Sequence, residues 1–221
     1  LKVLVIGASR GIGLGLVRQY RADGAAVTGT ARDDAGLARL RALGATALRL
    51  DVADAAGAAG LAGAIDGAAF DVAIVNAGVY GPRTRGLDAP TEAEFDLVMH
   101  TNVLGAMRVL PQVAAALAPG AALAVISSRM GSIGARGSPS GWLYRASKAA
   151  LNSVLKDTSL VLDGKATCVA FHPGWVRTDM GGADADIDVE TSAAGIRRTL
   201  TGLTPTDNGG FFNFDGAPIP W

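Results

Sequence analysis

Tyr144 and Lys148 stand four residues apart in the run Y-R-A-S-K. On a helix that spacing places both side chains on one face, one turn apart. With three tyrosines and four lysines in 221 residues, chance supplies such a pair only about 0.05 times. The pair reads in one of two ways. It is a tyrosine packed by a lysine stem, or a proton donor whose pKa, near 10 when free, is drawn down by the adjacent ammonium. Six serines share the surrounding stretch SSRMGSIGARGSPSGWLYRASK, and any of them could serve a reacting tyrosine.

Such a pair needs a scaffold, and the chain alternates short β-branched runs with longer Ala/Leu-rich stretches. Strands are predicted over 2–6, 26–30, 46–50, 71–75, 122–127 and 166–172, with a last one near 211–214. Helical patterns cover 12–23, 34–43, 54–64, 91–118, 143–162 and 189–200. Thr91 and Glu94 form a capping box, and Pro111 is expected to kink or end the regular part of its helix. Strands apolar on both faces and separated by helices imply a parallel sheet covered on both sides. Right-handed crossovers then give a single-domain, doubly wound α/β Rossmann fold of about seven strands, spanning 1–221. No composition shift marks a second domain. Irregular stretches near 79–90, 129–143 and 179–188 are candidate rim loops, since ligands bind beyond strand ends in such sheets.

Acidic and basic residues balance at 20 each, which argues against a nucleic-acid or membrane surface. The single cysteine, Cys168, excludes an internal disulfide framework and a cysteine-cluster metal site, and is expected to pack in a buried strand. The opening LKVLVIGAS reads as strand and turn, not as a signal peptide, and no apolar run spans a bilayer, so a cytoplasmic protein is expected. Glycine, at 30 residues, is about twice its ordinary share. Some of these glycines must sit where backbone approaches something closely.

The turn after the first strand, GASRGIG, supplies Gly7, Gly11 and Gly13. Glycines at a strand-to-helix turn let backbone N–H groups reach a pyrophosphate at the helix N-terminus. The second strand ends in T-A-R-D, where a fold selecting the 2′-hydroxyl would carry an acid. Arg10 and Arg32 could instead clamp a 2′-phosphate, which favours NADPH over NADH. Asp33 leaves an alternative open, because it could neutralise Arg32 or bind a ribose. Asp51 after the third strand could accept from an adenine amino group, and Ala77 and Gly78 after the fourth permit close backbone approach.

Taken in order, GASRGIG at 7–13, DV at 51–52, NAG at 76–78, TNVLG at 101–105, ISS at 126–128, YRASK at 144–148 and HPGWVRTD at 172–179 resemble the short-chain dehydrogenase/reductase family over nearly the whole chain. The ending GGFFNFDGAPIPW is similar to the subgroup of sniffer-type carbonyl reductases and C-factor-like signalling proteins. The resemblance implies that Tyr144 is the general acid of carbonyl reduction and that Lys148 binds nicotinamide ribose hydroxyls. It implies that Asn102 holds a water in a proton relay. It extends the cofactor site to Ser9, Ile12, Val52, Asn76, Pro173, Gly174, Val176 and Thr178.

In the family's usual pattern the serine precedes the tyrosine by about thirteen positions, which lands here on Gly131. Ser132 is nearest by count, but Ser128 ends the apolar strand, and a strand end is the more rigid platform. Ser128 is therefore assigned, and the extra residues between it and Tyr144 fall in a lengthened loop around 134–141. Tyr80, Met130, Trp142, Trp175 and Met180 are expected to line an apolar substrate pocket, although the tryptophans could equally pack in the core or at an interface. His100 and His172 are expected to be structural. The reading is an NADPH-dependent reductase of a small hydrophobic ketone or aldehyde, acting as a homodimer or homotetramer. Its alternatives are a nucleotide-binding signalling protein that needs no turnover and an NAD-dependent alcohol dehydrogenase.

Overall fold

The computed structural model describes residues 1–84 and 86–221; position 85, in the middle of the first expected rim loop, lies outside the described residues. Seven strands form one sheet, all parallel: β1 (Lys2–Ile6), β2 (Ala26–Ala31), β3 (Thr46–Arg49), β4 (Phe70–Val75), β5 (Leu117–Ile126), β6 (Ala166–His172) and β7 (Gly210–Asn213). Their order is β3-β2-β1-β4-β5-β6-β7. The winding reverses between β1 and β4, which opens a crevice beyond the carboxyl ends of those two strands.

The side-chain alternation of β1 shows how one strand serves both layers. Val3 and Val5 join the core with Leu16, Leu40, Ile74, Phe171 and Ile196. Leu4 and Ile6 face the opposite core with Val75, Leu123, Leu155 and Phe211. Helices α1 (Gly11–Ala22), α2 (Asp34–Ala42) and α8 (Val189–Gly202) cover the first face. The short α3 (Ala55–Ala59) and α4 (Leu61–Ile65), with α6 (Gly105–Ala115) and α7 (Trp142–Val161), cover the second. Cys168 is fully buried in β6, as expected for a small apolar residue.

The structure corrects two expected helices. The segment expected at 54–64 breaks at Gly60 into α3 and α4. The segment expected at 91–118 divides into α5 (Glu92–Met99), a π-helical turn His100–Leu104, and α6, after which β5 begins at Leu117. The interruption is the π turn and not Pro111, since α6 runs four residues past the proline. The proline removes the N–H that would bond the carbonyl of Met107, a half-exposed residue. The capping box forms as expected, with the Glu94 backbone N–H donating to Thr91 Oγ1 and the Thr91 backbone N–H donating to Glu94.

Candidate active site

At two positions the glycine turn after β1 is packed too tightly for any other residue. Gly7 has φ +83°, and a Cβ there would lie 2.7 Å from the Ala77 backbone. A Cβ on Gly13 would lie 2.3 Å from the Gly7 carbonyl oxygen, which also accepts from Asn76 Nδ2 at 2.6 Å. β1, α1 and the end of β4 are thereby locked around an opening of about 190 Å³. Gly7, Ser9, Arg10 and Ile12 line it from the first turn, and Arg32, Asp51 and Val52 from the ends of β2 and β3. Asn76, Ala77 and Gly78 close it from β4, and Pro173 and Thr178 from the segment after β6. Gly11 stands beside Thr178, and Gly13 supports the turn from beneath. An elongated nucleotide whose phosphates need exposed backbone N–H groups fits this cradle.

The charges along the opening are arranged unevenly. Arg10 pairs with Asp179 at 2.7 Å, both well exposed, a partner that sequence spacing did not indicate. Such a pair is worth little in water and can be drawn apart by a phosphate. Asp33 does not neutralise Arg32. Its carboxylate caps α2 by accepting from the Gly36 N–H at 2.6 Å. No described carboxylate pairs with Arg32.

Tyr144 lies in the first turn of α7, buried at 7 % exposure, and lines both this opening and a second cavity of about 890 Å³. Lys148 lines the first and Ser128 the second. Ser128 follows β5, and its hydroxyl accepts from the Met130 N–H at 3.1 Å. Ser132 is turned elsewhere: its hydroxyl donates to the Pro220 carbonyl at 2.5 Å and accepts from the Ala135 N–H at 2.9 Å.

The expected fall in the tyrosine pKa is reversed. Burial pushes the Tyr144 phenol up to about 12, and the neighbouring Ser128 hydroxyl opposes this only in part. The ammonium of Lys148 stands 5.7 Å from the tyrosine ring centroid and donates to the Ile126 carbonyl at 2.8 Å. Burial lowers its own pKa to about 8. At neutral pH the site therefore holds a neutral phenol, able to give a proton, beside a charged lysine.

Asn102 sits in the π turn between α5 and α6. Its Oδ1 accepts from the Val79 N–H at 2.8 Å, while Nδ2 donates to the Val79 carbonyl at 2.8 Å and to Ser147 Oγ at 2.9 Å. Ser147 in turn donates to the Tyr144 carbonyl at 2.8 Å. Asn102 thus ties the strand end after β4 to the helix carrying Tyr144 and Lys148. A π turn widens the helix and turns this side chain inward.

Of the residues expected in the substrate pocket, Tyr80, Met130, Trp175 and Met180 line the larger cavity, as do Gly174 and Val176. Trp142 does not. Its indole N–H donates to the Asp88 carbonyl at 3.1 Å and pins the first rim loop to α7. Four basic side chains, Arg83, Arg129, Arg145 and His172, line the same cavity. His172 was expected to be structural, yet its Nδ1 is buried without a partner among the described residues, and burial lowers its pKa to about 4. Placement at the carboxyl end of β6 was the one local sign that it would face the cavity.

A sheet wound both ways from β1 and β4, with a glycine turn at the crevice and a tyrosine between two cavities, defines a dinucleotide-dependent α/β oxidoreductase. The chain belongs to the short-chain dehydrogenase family, whose model matches residues 1–187. The C-signal of Myxococcus xanthus is 40% identical over 155 residues, covering 68% of this chain and 92% of that protein. A short-chain dehydrogenase/reductase from Burkholderia multivorans with bound NADP superposes with a TM-score of 0.90 at 31% identity, covering 100% of this chain and 99% of the other. The carbonyl reductase Sniffer of D. melanogaster gives a TM-score of 0.87 at 32% identity, over 100% and 99% of the two chains. No described helix is long and apolar enough to cross a membrane.

Proposed function

We propose that this oxidoreductase reduces the carbonyl of a small molecule with NADPH. The observation that carries the reading is the position of Tyr144 on the boundary between the two cavities, with Lys148 on one side and Ser128 on the other. NADPH, when bound, supplies the hydride. Gly7, Ser9, Arg10 and Ile12 would hold its phosphates, Asp51 its adenine, Arg32 its 2′-phosphate, and Pro173, Val176 and Thr178 its nicotinamide end. Ser128 donates a hydrogen bond to the substrate carbonyl oxygen, and Tyr144 gives that oxygen its proton as negative charge develops. Lys148 holds the ribose hydroxyls, and Asn102 fixes the helix that presents it. Two guanidiniums at the β2 end and the first turn support NADP, as does the NADP held by the similar Burkholderia protein.

The test is absorbance loss from NADPH with a panel of aldehydes and ketones. Tyr144→Phe is expected to lower kcat by about 10²–10⁴-fold, the usual contribution of a positioned acid; a wild-type rate in that variant would sink the assignment. The likeness to the C-signal favours one second reading, a signalling role that needs no turnover. Equal rescue of a deletion phenotype by wild type and Tyr144→Phe would select it. A homodimer is supported by exposed Phe95, Leu97 and Met107 on α5 and α6 and by Leu160 and Val161 at the end of α7. Sedimentation of the monomer alone at micromolar concentration would exclude it.

A further inference from the structure

Three arginines face one cavity in a chain whose acidic and basic residues balance at 20 each. Arg83 comes from the first rim loop, Arg129 from the residue after Ser128, and Arg145 from the residue after Tyr144. Among the described residues no aspartate or glutamate lines the same cavity. None of the three pairs with a carboxylate among the described residues. Arg145 is the most telling, because it is buried at 7 % exposure. A buried guanidinium without a counter-ion is costly and persists where something else returns the lost energy.

Two of the three are held in place without being neutralised. Arg145 Nε donates to the Ser140 carbonyl at 2.7 Å, and Arg83 Nη2 donates to the Met180 carbonyl at 3.1 Å. These bonds use few of the five N–H donors of a guanidinium and leave its charge intact. Arg83 also stacks over the Tyr80 ring, with Cζ 5.2 Å from the centroid, and Tyr80 stacks in turn on Tyr144. The positive charge therefore begins one aromatic ring beyond the reacting tyrosine.

We infer that the substrate carries an anionic oxygen group, a carboxylate or phosphate, which Arg83, Arg129 and Arg145 bind while its carbonyl meets Ser128 and Tyr144. This rests on the carbonyl-reductase reading and narrows it to keto acids or their phosphorylated counterparts. The apolar body of such a molecule lies against Met130, Trp175 and Met180, and the anion reaches the guanidinium fork, which matches paired oxygens of a carboxylate or a phosphate.

The experiment compares 3-benzoylpropionate, its methyl ester and 2-oxo-2-phenylethylphosphonate, with NADPH, on the full chain. Either anion is expected to exceed the ester in kcat/KM by about tenfold or more, the effect of one charge-assisted contact. That ratio is expected to fall toward one in the double variant R83Q/R129Q, whose side chains are exposed, and in part in R145K. A wild-type ratio at or below one overturns the inference, and so does a ratio unmoved by these variants. Calorimetric binding of the same three compounds to protein saturated with NADP⁺ separates the two readings. Tighter binding of an anion without turnover upholds the subsite and defeats the reductase reading, and equal affinity for acid and ester defeats the subsite whether or not turnover is seen.

Discussion

The ring of Tyr80 lies stacked on that of Tyr144, centroids 4.5 Å apart and planes 24° apart. Tyr80 follows the N-A-G-V run at the end of β4, and its hydroxyl would lie only 2.6 Å from a Cβ at Gly141. Gly141, with φ +67°, precedes α7, so the residue starting the tyrosine helix must be glycine for two reasons. The stack covers the phenol and contributes to the burial that raises its pKa.

Tyr80→Ala is expected to destabilise the fold by about 1–3 kcal/mol, combining lost area with the lost aromatic pair. It should also let the Tyr144 phenol titrate lower. Tyr80→Phe keeps the ring and should retain most of that stability. Denaturant midpoints, with ultraviolet titration of the phenols, check both.

Ser128 and Ser132 are expected to separate cleanly. Ser128→Ala should lower kcat by about 10²-fold while the fold persists, as for loss of one oxyanion donor. Ser132→Ala leaves the Pro220 carbonyl and the Ala135 N–H without their partner, and should cost about 1–3 kcal/mol of stability with little change in kcat. The opposite pattern in paired kinetic and unfolding measurements would reverse the assignment of the serine.

The pH dependence follows from Lys148. Its value of about 8 in the folded chain lies below the ordinary 10.5, so the charged form is disfavoured by burial. Below pH 8 that penalty is fully present, and it is relieved as pH rises from 8 toward 10.5, so Lys148 makes stability rise across that window. Tyr144 acts in the other direction: its stabilising contribution is present below pH 10 and is lost as pH rises from 10 through 12. Reductive kcat/KM should decline above about pH 8 as the lysine loses its charge. Lys148→Met should remove the stability rise between pH 8 and 10.5, read by urea midpoints at stepped pH.

Cofactor choice tests Arg32. Arg32→Asp places an anion where a 2′-phosphate would sit, and should raise KM for NADPH at least tenfold while that for NADH falls or stays level. An unchanged ratio of the two KM values would remove Arg32 from the cofactor site.

The chain's local patterns determined a good deal by themselves. Val3 to Ile6 alternate between two apolar layers, Gly7 and Gly13 mark a turn too close for side chains, and Tyr144 and Lys148 share a helix face. Each is a matter of period or spacing within a few residues, which is why the seven parallel strands and the order of the site motifs were legible. Tertiary structure decided the rest. The helix break at His100–Leu104 serves a bond from Asn102 to Val79, which no local period contains. Asp33 was free on paper to meet Arg32, until α2 claimed it as a cap. Trp142 went to the Asp88 carbonyl, and Arg83, Arg129 and Arg145 came together from three separate segments at the rim of one pocket. The Tyr144 pKa rises because burial outweighs the hydrogen bond to Ser128, while Lys148 bonds to the Ile126 carbonyl. Spacing along a chain reports which groups can meet; how far water is excluded from them depends on contacts between distant segments, and only the folded chain sets that.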